Sequence, residues 1–113
     1  MKKVISSPLA PAAIGPYSQA TEAAGLVFVS GQLPIDAATG DMPEGIEAQA
    51  RQSLLNIQHI LEAAGLTMSH IVKTTVYLQD MSLFGSMNAV YATFFEGDYP
   101  ARAAFAVKAL PKD

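Results

Sequence analysis

The chain has 113 residues, half of them apolar and 15% charged, which gives one domain enough apolar material for its own core and sets it far from disordered compositions. It has no cysteine, so a disulfide framework and a thiol nucleophile are both excluded. Seven basic and ten acidic residues leave a formal charge of −3, and the basic ones are scattered singly, so no stripe exists to collect nucleic-acid phosphates.

In chain order, MKKVISSPLAPAAIG carries two lysines but no sustained apolar stretch before its prolines, so it does not read as a signal peptide. No run reaches the roughly 20 apolar residues of a membrane span. A cytosolic protein is expected. Lys3-Val4-Ile5 reads as a short edge strand before the loop SPLAPAAIGP. Ser18–Glu22 and Leu26–Leu33 read as two strands joined by Ala23-Ala24-Gly25. The segment IDAATGDMPEG is a loop, dense in Asp, Gly and Pro.

An amphipathic helix follows, with Ile46, Ala50, Leu54, Ile57, Leu61 and Ala64 at three- and four-residue steps and Gly65 as its C-terminal stop. His70–Gln79 is rich in β-branched residues and reads as a strand. MSLFGSMNAVYATFFEG reads as a second helix, burying Phe84, Met87, Tyr91 and Phe94 and ending at Gly97. Pro100 precedes a last strand. The order implies an α+β domain over 1–113, with two helices on one face of a sheet.

Two strands raise a question of cover. Leu26 and Phe28 alternate with Val27 and Val29, so both faces of that strand are apolar, yet two helices cover only one. A subunit partner is expected on the other. In the last strand, Ala103, Phe105, Val107 and Ala109 form a good core face. That would put Arg102 on the opposite face, where subunits meet.

Arg102 is the candidate with chemistry to offer. A guanidinium is a planar fork that grips a carboxylate bidentately; the plainer reading is an ion pair with Glu96 or Asp98. Asn88 lies near the apolar stripe of the second helix, four residues after Phe84, where an amide either meets a ligand or makes a structural hydrogen bond. Tyr17, after Gly15-Pro16, either enters a cleft or packs. Ser30-Gly31 ends a strand, and the missing side chain at Gly31 lets a ligand approach the backbone. His59 and His70 are well separated, with no triad around either and no metal site between them.

The stretches APAAIGPYSQA, VFVSGQLPID, AQARQSLLNIQHILEAAGL, IVKTTVYLQDM, MNAVYATFF and YPARAAFAVKALPKD resemble, in order and spacing, the RidA (YjgF) family over essentially the whole chain. The resemblance implies a chorismate-mutase-like mixed sheet with two helices on one face, and a homotrimer with a central barrel and a cleft between each pair of subunits. It implies a cofactor-independent deaminase that hydrolyses reactive 2-enamino and 2-imino acids, such as 2-aminoacrylate, to 2-keto acids and ammonia. Carried over residue by residue, it assigns the substrate carboxylate to Arg102, the cleft tyrosine to Tyr17, the SGQ positions to Ser30 and Gly31, the helix-borne asparagine to Asn88, and a pocket-lining position to Ala104. Arg102, Tyr17 and Gly31 are the catalytic candidates, and no metal or cofactor is expected. Relatives continue past LPKD into a strand of pattern IEIEA whose glutamate is implied to activate water. This sequence stops at Asp113: either it is part of a longer chain, or the protein lacks that strand and its carboxylate. The alternative readings are a non-catalytic trimer binding small carboxylates and, against the charge balance, a ribonuclease or translation inhibitor.

Overall fold

The computed structural model describes residues 1–113. Five strands and two helices follow in the order β1 (Lys3–Ile5), β2 (Ala20–Ala23), β3 (Leu26–Val29), α1 (Ile46–Ala63), β4 (Lys73–Leu78), α2 (Phe84–Ala92) and β5 (Ala101–Ala106). The α+β architecture expected from the sequence is the one observed. No helix is long and apolar enough to cross a membrane.

The strands form two hydrogen-bonded groups. β1, β2 and β3 make an antiparallel meander, with Ile5 opposite Ala20 and Ala20 opposite Val29. The β2–β3 hairpin turns on Ala24 and Gly25, with φ of 54° and 77°. Two successive positive φ angles give the local twist that matches two antiparallel strands, and glycine meets that demand at no steric cost. β4 and β5 pair in parallel from Lys73–Ala101 to Leu78–Ala106. Parallel neighbours need a crossover, and α2 supplies it.

α1 is the layer common to both groups. Leu54 and Leu61 pack with Met68, Leu78, Met87 and Tyr91, while Ile60, fully buried, packs with Ile5, Ala10 and Ala20 under the meander. The helix stops in a Schellman arrangement: Leu66 N–H donates to the Leu61 carbonyl at 2.8 Å and Gly65 N–H to that of Glu62 at 3.0 Å, with Gly65 at φ 76°. Leu66 then packs against the same core as Leu61.

Four expectations change, the first being that β3 stops at Val29 rather than running on to Leu33. His70 lies in a short 3-10 turn (Met68–His70) rather than in β4, where its Nδ1 accepts from the Thr67 backbone N–H at 3.0 Å and closes a capping box. α2 ends at Ala92 instead of reaching Gly97. Its last turn tightens into three-residue steps, Thr93 to Val90, Phe94 to Tyr91 and Phe95 to Ala92, which lets both Phe94 and Phe95 pack on the core. The face of β5 is the reverse of the one read from its sequence. Thr74, Val76 and Leu78 of β4 turn toward the helices, and the parallel register puts Arg102, Ala104 and Ala106 beside them. Phe105 therefore stands on the open face, 46% exposed, edge-on to Tyr77 at 5.3 Å.

That open face is apolar. Val4, Leu26, Phe28, Tyr77 and Phe105 are all about half exposed. Only 14 of 113 residues are buried, too few for a chain that is half apolar to have covered all it carries.

Candidate active site

Arg102 is held by α2 rather than by an acid. Its Nη1 donates to Asn88 Oδ1 at 2.7 Å, and its guanidinium carbon lies 4.8 Å from the ring centre of Tyr91 and 5.3 Å from that of Phe84. Phe84, Asn88 and Tyr91 recur at four- and three-residue steps, so one helix face presents all three to the strand. Tyr91 is buried, and its hydroxyl is tied at 2.7 Å to Thr74 Oγ1. Thr74 is also the residue paired with Arg102 across the strands.

Glu96 and Asp98 do not supply the partner; an uncharged amide and two aromatic rings do. Such rings attract a cation through their negative faces but leave its charge uncancelled. The guanidinium borders an open concavity of about 420 Å³, shared with Asn88, Tyr91, Ala92, Tyr99 and Pro100.

Tyr17 and Ser30 lie on a different concavity, of about 390 Å³, beside the meander with Lys2, Thr21 and Phe28. Tyr17 is brought there by a tight turn in which its N–H donates to the Gly15 carbonyl at 2.9 Å, with Gly15 at φ 122°. The residue is 53% exposed. The Ser30 hydroxyl donates to the Ser18 carbonyl at 2.6 Å, so it ties β3 to the Tyr17 loop and keeps only acceptor capacity for anything else. Gly31 is exposed, and a side chain built there would meet nothing within 4 Å.

Within one chain, then, Arg102 and Asn88 border one concavity and Tyr17 and Ser30 another, while Gly31 follows Ser30 in the chain without lining either. Ala104 shares the helix-facing side with Arg102 but sits half-buried beside Val76, off the residues that border either hollow.

The model of the Endoribonuclease L-PSP family matches residues 7–113. The chain belongs to this family. A mouse relative named 2-iminobutanoate/2-iminopropanoate deaminase is 49% identical over 113 residues, covering 99% of this chain and 84% of its own. A relative of the same name from Escherichia coli K12 is 47% identical over 116 residues, covering 100% and 91%. Among solved structures, the E. coli YjgF gene product superimposes with a TM-score of 0.95 at 46% identity, covering 98% of this chain and 90% of that one. E. coli TdcF with bound serine gives a TM-score of 0.95 at 43% identity, covering 98% and 90%. The RidA resemblance seen in the sequence is thus that of the family itself.

Within this family member, three side chains that hold the site escaped the sequence reading. Gln19, buried, accepts from Ser7 N–H at 2.7 Å and donates to the carbonyls of Ser7, Ala10 and Pro11, fixing the proline-rich loop that delivers Tyr17. Asn56, fully buried on α1, donates to the carbonyls of Leu33 and Ile35, both at 3.0 Å, and anchors the segment that follows Gly31. Thr74 fixes the Tyr91 ring. For Asn56 the available signal was an amide on the otherwise apolar face of α1, which has to find partners when buried. His59 makes a contact of 3.1 Å with the Leu9 carbonyl and stays outside both concavities.

Proposed function

We propose that this protein hydrolyses short 2-imino acids, formed from their 2-enamino tautomers, to 2-keto acids and ammonia, with Arg102 as the anchor for the substrate carboxylate. The observation that carries this is a guanidinium seated on neutral partners at the edge of an open concavity. An arginine paired internally with Glu96 or Asp98 would have no charge left to offer. The names borne by the mouse and E. coli relatives give the substrate class, and the serine in TdcF is a small amino acid carrying a carboxylate.

The chemistry asks little of the protein. Water adds to the carbon of the C=N bond, and the π electrons pass to nitrogen, which takes a proton. The carbinolamine then collapses: the C–N bond breaks, ammonia leaves, and the hydroxyl proton ends on nitrogen. An imine accepts water readily, so orientation is the main contribution, and an anchored carboxylate beside an open backbone provides it. Gly31 and Ser30 are the candidates for holding the imine nitrogen or the water through main-chain groups, and Tyr17 for closing the cleft.

The site is completed between copies of the chain. Its two groups of residues border different concavities, and the open face carrying Phe28, Tyr77 and Phe105 is an apolar surface that a second copy would cover. A homotrimer working in the cytosol without cofactor or nucleic acid is the assembly proposed. The test is to generate 2-aminoacrylate in situ and follow keto acid and ammonia with the wild type, with Arg102→Ala and without protein. Thermal stabilisation by small carboxylates with no ammonia release would instead mark a binding protein. A salt-sensitive RNA complex would revive the activity in the family's name.

A further inference from the structure

We infer that Asn88, Tyr91 and Thr74 are positioning residues that form a neutral cradle for Arg102, and that the neutrality of this cradle is what keeps the site able to take a carboxylate. The inference rests on Arg102 being the carboxylate anchor, and concerns residues that act only through it.

A guanidinium has five N–H donors in a fixed plane. Asn88 Oδ1 engages one of them, at Nη1. Tyr91 and Phe84 present rings 4.8 and 5.3 Å from the guanidinium carbon, which restricts its plane without engaging its N–H edges. The Tyr91 ring is itself fixed, because its hydroxyl meets Thr74 Oγ1 at 2.7 Å and Thr74 lies in register with Arg102. Helix α2 thus defines the arginine's rotamer, and strand β4 steadies it through the Tyr91 hydroxyl. The amide at position 88 is isosteric with a carboxylate. An aspartate there would meet Nη1 at the same distance, form a charge-assisted pair and compete with every incoming anion.

This gives an ordering that a merely structural hydrogen bond would not. If Asn88 served only to hold α2 against β5, aspartate would preserve the contact and alanine would be the worse substitution. A neutral cradle predicts the reverse. We would measure binding of 2-oxobutanoate, the keto acid expected from imine hydrolysis, by titration calorimetry, together with KM and kcat and the melting temperature without ligand. Asn88→Asp should weaken binding at least tenfold, and more than Asn88→Ala does, while melting no lower than Asn88→Ala. Thr74→Val and Tyr91→Phe should each raise KM several-fold with kcat within about twofold. Their double variant should be no worse than either alone, since both remove one hydrogen bond. Asn88→Asp binding as well as wild type, or better than Asn88→Ala, would overturn the inference. Should Arg102→Ala itself bind 2-oxobutanoate normally, the anchor assignment fails first. If Arg102→Ala loses binding while the cradle variants keep it, only the cradle is wrong.

Discussion

Replacing Asn56 by alanine tests how the segment after Gly31 is held. The amide is fully buried and makes three hydrogen bonds: Nδ2 to the carbonyls of Leu33 and Ile35, both at 3.0 Å, and Oδ1 from Gln52 Nε2 at 2.9 Å. Truncation leaves two backbone carbonyls without their donors, each costing about 1–3 kcal/mol unless water reaches it. The sum is about 2–6 kcal/mol, out of the roughly 5–15 kcal/mol that holds a domain of this kind together. At this chain length 1 kcal/mol moves the melting temperature by about 4 °C, so a drop of at least about 8 °C is expected. Urea unfolding at fixed protein concentration would show the midpoint shifting at constant slope. Gln52→Ala removes one bond at the edge of the same cluster and should cost about 1 kcal/mol. An Asn56→Ala loss below about 1 kcal/mol would refute the claim that this amide anchors the loop.

Other substitutions probe other parts of the account. Gly65→Ala forces a side chain into φ 76° at the end of α1 and should cost about 1 kcal/mol, visible as a lower urea midpoint. Asp80 caps a short 3-10 turn (Met81–Leu83): its carboxylate accepts from Ser82 N–H at 2.8 Å, and that hydrogen bond holds its pKa below the ordinary 3.8. The unfolded chain therefore takes up the proton first as pH falls, so the stability this cap adds is present above about pH 4 and is lost as pH drops through the folded value. Comparing urea midpoints from pH 2 to 6, Asp80→Ala should lose that part of the acid dependence; an unchanged profile would contradict the cap. Phe105→Asp puts a charge on the open face and should shift sedimentation toward the monomer, with the far-ultraviolet circular dichroism retained. Ile60→Ala empties a fully buried site between α1 and the meander and should cost about 2–5 kcal/mol.

The local signals in the sequence were strong where turn chemistry and periodicity agreed. The Ala24-Gly25 hairpin, the apolar stripe of α1 and its stop at Gly65 all lie where those signals put them. β5 was different because Ala103, Ala104 and Ala106 carry no contrast between faces. Phe105 and Arg102 then suggested the wrong side, and only pairing with Thr74, Val76 and Leu78 of β4 fixes it. Tertiary contact decided what residue type could not. The short α2 has the same origin: Thr93, Phe94 and Phe95 carry no breaker, and their departure from the helix follows from where the core lies. Of the site, Arg102 stood out by its chemistry, whereas Tyr17, Ser30, Gly31 and Asn88 gained weight from the family resemblance. The neutrality of the arginine's surroundings was legible only once α2, β4 and β5 were placed together.

The most direct test of the central claim is the rate at which in situ 2-aminoacrylate becomes pyruvate and ammonia with wild type and with Arg102→Ala. Removing one member of a carboxylate–guanidinium pair costs about 2–5 kcal/mol, so the account predicts a fall in kcat/KM of at least about 30-fold, with the folded assembly intact. Equal acceleration by the two proteins would contradict it, and would move the carboxylate anchor elsewhere in the molecule.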